Sequence, residues 1–174
     1  AVTEPEGGSD VAGLRTTARR DGDHWVVNGV KTYITSGTRA DFVTTAVRTG
    51  GPGAGGISLL VIDRGTPGFT VGRRLEKLGW HCSDTAELSF TDVRVPAANL
   101  VGPEGSGFAS IMRHFAAERL SLATQAHATA QRCLDLSVSW CQDRHTFGRP
   151  LASRQAVRHR LAAMATRTAA ARAF

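Results

Sequence analysis

Two patterns divide the chain. Up to about residue 105, apolar residues fall in short alternating runs; beyond Gly107 they recur every three or four positions. In the first part, His24 to Tyr33 reads HWVVNGVKTY, two β-prone runs on either side of Asn28-Gly29. That dipeptide predicts a hairpin turn between two strands. Further strands are expected from Asp41 to Arg48, from Ile57 to Asp63 and, after the turn chemistry of Thr66-Pro67-Gly68, from Phe69 to Arg73. Ala86 to Pro96 (AELSFTDVRVP) alternates apolar and polar residues, as a half-buried strand does. Short strands at this spacing predict an antiparallel barrel or sandwich.

In the second part, Phe108, Ile111, Met112 and Phe115 set a helical period that runs to about Asp143, with Ser106 in the N-cap region. Gly148-Arg149-Pro150 interrupts it, and Pro150 suits the first turn of a second helix carrying Leu151, Val157, Leu161 and Met164. The predicted fold class is α+β: an antiparallel β-barrel or sandwich domain over residues 1–104, then long antiparallel helices over 105–174. The second helix has no stop signal at Phe174, and the chain starts at Ala1 rather than Met. Both features lead us to expect a piece of a longer protein.

Composition narrows the function classes. Of 174 residues, 41% are hydrophobic and 21% charged, an ordinary globular balance. No apolar run is long enough to span a bilayer, and the acidic, Gly-rich opening AVTEPEGGSD is unlike a secretory signal. The net charge of +6 reads as an Arg-rich solvated surface, or as attraction for an anionic ligand such as a phosphate-bearing cofactor. The basic residues are dispersed and aromatics are few, which argues against nucleic acid. Cys82, Cys133 and Cys141 are too few and too irregular for a disulfide framework, and read as reduced thiols of a cytoplasmic protein. Cys133 and Cys141, eight apart on the predicted helix, are expected on one partly buried face. The six histidines lack metal-ligand spacing, so no metal site is expected, and no nucleophilic triad stands out.

Four features carry candidate chemistry. Gly51 to Gly56 fits the spacing G-x-G-x-x-G, but a strand follows it where a dinucleotide site needs a helix, so it reads as a hairpin loop. Thr3 to Asp10 (TEPEGGSD) gathers hydroxyls and glycines just before the sheet. Such a loop can offer N–H and O–H groups to phosphate or a planar ring, and is also common loop chemistry. Glu118, in HFAAERL, reads by itself as a surface carboxylate or a partner of Arg119. Arg144 reads as a helix C-terminal cation favoured by the dipole.

TEPEGGSD resembles the flavin-loop signature of the acyl-CoA dehydrogenase family, T-E-P-x-A-G-S-D. NGVKTYITSG (Asn28 to Gly37) is similar to the family's N-G-x-K-x-W-I-T-N-G. PGF, LEKLGWHCSDTAELSFTDVRVPAANLVG, AERL and RHTFGRPL then follow in the family's order along the whole chain. AERL is most similar to the isovaleryl-CoA-type and long-chain-type branches. The resemblance implies a middle β-domain and the first two helices of a C-terminal four-helix bundle, with an N-terminal helical domain and the rest of the bundle missing.

It also implies FAD-dependent α,β-dehydrogenation of an acyl-CoA thioester. A carboxylate, dry enough that its pKa rises toward neutrality, removes the α-proton while the β-hydrogen leaves as hydride to flavin N5. By the resemblance, Val2 and Thr3 would contact the flavin ring edge. Gly8 and Ser9 would border the pyrophosphate, Ser9 also reaching the CoA pantetheine arm. Tyr33, Ile34 and Thr35 would line the ring face, Thr35 near N5. Arg144, Thr146, Phe147 and Gln155 would reach the FAD of a neighbouring subunit, which implies a homotetramer. Glu118 would be the base, and Arg119 would hold that base or its helix beside the substrate. The electron acceptor would be an electron-transfer flavoprotein or similar. In the short- and medium-chain branches the base comes from a later helix, which would lie beyond Phe174. The sequence departs from the pattern at Tyr33 (usually Trp), Ser36 (usually Asn) and Glu6 (usually small, here a negative charge beside a phosphate-binding loop). Two alternatives stand beside this reading: a flavin monooxygenase or oxidase of the same fold, and a non-catalytic subunit of a hetero-oligomer.

Overall fold

A computed structural model describes residues 1–174, which divide into two compact units, Ala1–Arg113 and His114–Phe174. The first unit holds a six-stranded sheet: β1 (Thr17–Asp21), β2 (His24–Thr35), β3 (Phe42–Arg48), β4 (Ile57–Asp63), β5 (Phe69–Arg74) and β6 (Thr85–Pro96). Its spatial order is β4-β3-β1-β2-β6-β5, antiparallel except where β1 meets β3 in parallel through Thr17 and Arg48. The sheet does not close into a barrel, because β4 and β5, at the two ends of the order, do not pair with each other; the arrangement is sandwich-like. One core joins the two ends of the strand order. Val43, Val47, Leu60 and Ile62 from β3 and β4 share it with Trp25, Val27, Leu88, Phe90, Val93 and Val95 from β2 and β6. Burying this apolar surface is what makes the sheet stable.

The Asn28-Gly29 dipeptide does not turn the chain, contrary to the sequence expectation. β2 runs through it as one strand of 12 residues. The turn lies earlier, at Gly22 (φ +60), and joins β2 to β1, a strand that the hydrophobic pattern did not reveal. Asn28 is instead held by Asp92 of β6. Its Nδ2 donates to Asp92 Oδ1 (3.0 Å), and the Asp92 N–H donates to Asn28 Oδ1 (2.9 Å). Gly29 has φ +152, and a Cβ there would lie 2.7 Å from the Cα of Thr16. The dipeptide thus serves close packing between strands.

Two bulges set which side chains face the core. Val27 pairs with Val93 and Gly29 with Phe90, so β6 carries one extra residue at Thr91-Asp92. Lys31 pairs with Leu88 and Ile34 with Ala86, so β2 carries one extra residue at Thr32-Tyr33. Each bulge shifts the alternation by one and exchanges the two faces. On β2, Trp25, Val27 and Lys31 point inward before the bulge, and Ile34 points inward after it.

The Gly51 to Gly56 segment is the loop between β3 and β4, as its flanking strands predicted. Its carbonyls face a cation: Arg48 Nη1 donates to the carbonyls of Gly51 (2.7 Å) and Gly53 (3.2 Å).

Helix α1 (Gly107–Asp143) starts in the first unit and continues through the second, and α2 (Gln155–Ala173) follows. The Ser106 carbonyl accepts from the Ser110 N–H, while its hydroxyl donates back to the Pro103 carbonyl and does not cap the helix. Pro150 does not open α2. It lies in a two-strand ribbon, β7 (His145–Thr146) with β8 (Arg149–Pro150), and a 3₁₀ turn over Leu151–Ser153 precedes the helix. Cys133 is exposed and Cys141 half-buried, so they do not share one buried face; all three cysteines are free thiols. No helix is long and apolar enough to cross a membrane.

Candidate functional site

The loop before the sheet is tied to β2 by polar bonds. Glu4 and Gly7 close a tight turn through reciprocal backbone bonds of 3.0 and 3.1 Å, leaving Pro5 and Glu6 exposed at its tip. The Thr32 N–H donates to the Thr3 carbonyl (2.9 Å). Beneath the turn, Lys31 Nζ donates to Glu4 Oε1 (2.8 Å) and to the Val2 carbonyl (3.0 Å). Glu4 also accepts from the N–H groups of Arg15 (2.6 Å) and Thr16 (2.9 Å). Burial alone would raise the Glu4 carboxyl. The Lys31 ammonium and the Arg15 and Thr16 donors outweigh it and hold the group below its ordinary value. Burial lowers the Lys31 ammonium, against the attraction of Glu4.

This tether places Val2 and Thr3, both half-buried, beside the bulged segment of β2. Tyr33 at the bulge has φ +57, a conformation that costs a non-glycine residue about 1–3 kcal/mol. The strain has a visible result: Tyr33 is 68% exposed and Thr35 is exposed, although simple alternation from Trp25 and Val27 would bury both. Ile34 behaves differently from the expectation for it. Its side chain lies in the core, so the bulge leaves it no part in an exposed ring-facing surface except through its backbone. Gly8 packs near Thr3, where an added Cβ would meet the threonine methyl at 3.2 Å. The N–H groups of Gly8 and Ser9 make no hydrogen bond within the chain and are exposed. Next to this surface, the Asp84 carboxylate accepts from the Thr38 N–H (2.8 Å) and pairs with Arg39 (3.1 Å), which fixes the turn after β2. Hydrogen bonds from Thr38 hold its carboxyl below the usual range.

In the second unit, RHTFGRP folds into a tight hairpin. Phe147 and Gly148 form its two-residue loop with φ +53 and +73, the mirror-image turn that matches strand twist. Phe147 is thereby held out at 96% exposure. Arg154 braces it: Nη2 donates to the carbonyl (2.8 Å) and hydroxyl (2.9 Å) of Thr146, and the guanidinium lies 5.4 Å from the Phe147 ring centre. The Leu151 N–H closes the hairpin onto the Arg144 carbonyl (2.8 Å). Arg144, Thr146, Phe147 and Gln155, the first residue of α2, therefore lie within one short stretch around this ribbon. Glu118 lies on α1, exposed, and the neighbouring Arg119 stacks on Phe115 (5.8 Å) rather than pairing with it.

Glu4, Lys31, Asp84 and Arg154 were not singled out from the sequence. Lys31 had a signal, since a lysine at the same parity as Trp25 and Val27 in a strand must either be buried or break the pattern. Arg154 had none, because its contact depends on the hairpin turn.

Two family models cover most of the chain: "Acyl-CoA dehydrogenase, middle domain" matches residues 1–93, and "Acyl-CoA dehydrogenase, C-terminal domain" matches residues 105–174. The chain belongs to the acyl-CoA dehydrogenase family. It is 43% identical over 173 residues to an acyl-CoA dehydrogenase of Bacillus subtilis, an alignment that covers 99% of this chain and 46% of that protein. A solved structure from Mycobacterium smegmatis, described as an acyl-CoA dehydrogenase, is 68% identical with a TM-score of 0.95 over 100% of this chain and 46% of its own. A glutaryl-CoA dehydrogenase from the same species, solved in complex with FADH2, is 33% identical with a TM-score of 0.87 and covers 98% of this chain and 43% of its own. The chain thus spans about half the length of the acyl-CoA dehydrogenases it matches.

Proposed function

We propose that this chain is the flavin-facing segment of an FAD-dependent acyl-CoA dehydrogenase. The observation that carries the reading is the Tyr33 bulge. It spends backbone strain to present Tyr33 and Thr35 beside a tethered hydroxyl- and glycine-rich loop. Strain of this kind concentrates where a surface has work to do.

The residues fit FAD by their donor chemistry. The free N–H groups of Gly8 and Ser9 suit a pyrophosphate, and no basic side chain is needed to bring them there. Val2 and Thr3 would hold the ring edge. Tyr33 would lie against the ring face, and the Thr35 hydroxyl would donate near N5. Glu6, at the exposed tip of its turn, points its charge to solvent. Arg144, Thr146, Phe147 and Gln155 would meet the FAD of a neighbouring subunit in a homotetramer, with the planar Phe147 ring offered to an aromatic or ribose surface. Bound FAD would supply the hydride acceptor.

On the substrate side, Ser9 would hydrogen-bond the pantetheine arm of an acyl-CoA. Glu118 would take the α-proton of the thioester, and Arg119, fixed on Phe115, would keep the helix surface beside it in place. Glu118 is exposed in this segment. The water exclusion that a carboxylate base needs would come from the rest of the full-length protein. An electron-transfer flavoprotein would then reoxidise the flavin, in the cytoplasm.

The test is the full-length protein with bound FAD. Acyl-CoA substrates should bleach the flavin, and Glu118→Gln should lower turnover by about 10³-fold or more while FAD stays bound. Retained turnover in that variant would place the base elsewhere. Oxygen consumption on substrate addition would favour an oxidase, and a full-length protein without FAD would favour a non-catalytic subunit.

A further inference from the structure

Lys31 has no exposed side-chain surface, and Glu4 is 5% exposed. Replacing a buried ion pair by apolar residues of similar volume is often neutral or stabilising, so sheet stability alone gives no reason for this one. Its partners do. Glu4 draws in the N–H groups of Arg15 and Thr16, while Lys31 draws in the carbonyl of Val2. The segment also meets β2 where the Thr32 N–H donates to the Thr3 carbonyl, and Ala1 before it is bonded to Thr44 and Ala46 of β3. The chain that follows, Pro5 to Asp10, is exposed and cannot anchor itself by packing. Two bulky charged groups are thus used to fasten a few residues of loop to one place on β2, one residue before the Thr32-Tyr33 bulge.

We propose that Glu4 and Lys31 are positioning residues whose ion pair holds Val2 and Thr3 in register with Tyr33 and Thr35, so that the two segments form a single preformed flavin edge. The proposal rests on the flavin reading above. It places the pair behind the cofactor surface, touching neither cofactor nor substrate. A ligand surface built from a loop must be ordered before binding if its ordering is not to be taken from the affinity.

The experiment uses the full-length protein and three variants, Glu4→Gln, Lys31→Met and the double variant. Each single variant leaves a buried polar group without its counterpart and is expected to lower the melting temperature. The double variant removes both charges and is expected to recover most of it. Two readouts on the double variant then decide. Amide hydrogen exchange at Thr32, Arg15 and Thr16 should quicken at least tenfold while Val27 and Leu88 stay protected. FAD should bind at least tenfold more weakly, with a shifted visible flavin band. A double variant with wild-type exchange at those amides, or with faster exchange but unchanged FAD affinity and spectrum, overturns the proposal. Wild-type protein that takes up no FAD would instead overturn the functional reading, and the exchange data would still report on the tether.

Discussion

Replacing Gly29 with alanine should damage the sheet far more than the addition of one methyl group at a half-buried position would suggest. Two costs add. At φ +152 an L side chain is strained, by about 1–3 kcal/mol. The new methyl would also collide with Thr16 Oγ1 and lie 2.7 Å from the Thr16 Cα. The backbone atom cannot rotate away, so β1 and β2 must separate or β2 must shift, at about 1–3 kcal/mol for overpacking of this kind. The expected loss is about 2–6 kcal/mol. Thr16 is also where the Glu4 carboxylate is bound, so the shift should carry into the loop that bears Val2 and Thr3. Thermal unfolding by circular dichroism, with Gly51→Ala as the comparison, measures it. Gly51 has no atom within 4 Å of its added Cβ and no positive φ, so that variant should stay within about 0.5 kcal/mol of wild type. A Gly29→Ala protein as stable as Gly51→Ala would refute the reasoning, and with it the claim that this glycine is required by close approach to Thr16.

Phe90 is 2% exposed and stacks on Phe69 at 5.0 Å, so Phe90→Ala should cost about 3–5 kcal/mol, read from the same unfolding transition. The Glu4 carboxyl is held below its ordinary 4.5 in the fold, so its contribution is complete above pH 4.5 and is lost as pH falls through the lowered value. The melting temperature of Glu4→Gln should therefore fall less steeply than that of wild type below pH 4.5, and equal slopes would count against the Lys31, Arg15 and Thr16 bonds that hold that carboxyl down. Arg154→Ala should free the Phe147 hairpin, costing about 1–3 kcal/mol locally. Amide exchange at Leu151 should quicken while the sheet keeps its protection; an unchanged Leu151 rate would show that Arg154 is not the brace.

Much of the architecture was open to reading along the chain. The change from alternation to helical period near residue 105, the strands at Phe42–Arg48, Ile57–Asp63 and Phe69–Arg74, and the long helix ending at Asp143 all follow from local patterns. These patterns survive because burial of one face is a local requirement on every strand and helix. The parity change in β6 is also written in the sequence: apolar residues are even-numbered through Phe90 and odd-numbered from Val93, with Thr91-Asp92 between them. Membership of the acyl-CoA dehydrogenase family rests on ordered motifs and was equally legible.

Tertiary structure decided the rest. Asn28-Gly29 carries the local signature of a turn, yet Asp92 and Thr16 convert it into a contact point between strands. Tyr33, Ile34 and Thr35 are consecutive, and no rule of composition says which of them faces the core. One inserted residue at Thr32-Tyr33 does, by turning Ile34 in and its two neighbours out. Glu4 and Lys31 are 27 positions apart, and only the fold brings a carboxylate and an ammonium together beneath the loop. The sequence by itself determined most of the segments that become strands and helices, β1 and the β7–β8 ribbon apart, and to which family they belong, because those are properties of local pattern. Which side chains meet, and which face they present, waited on register, because a shift of a single residue along a strand exchanges its two faces.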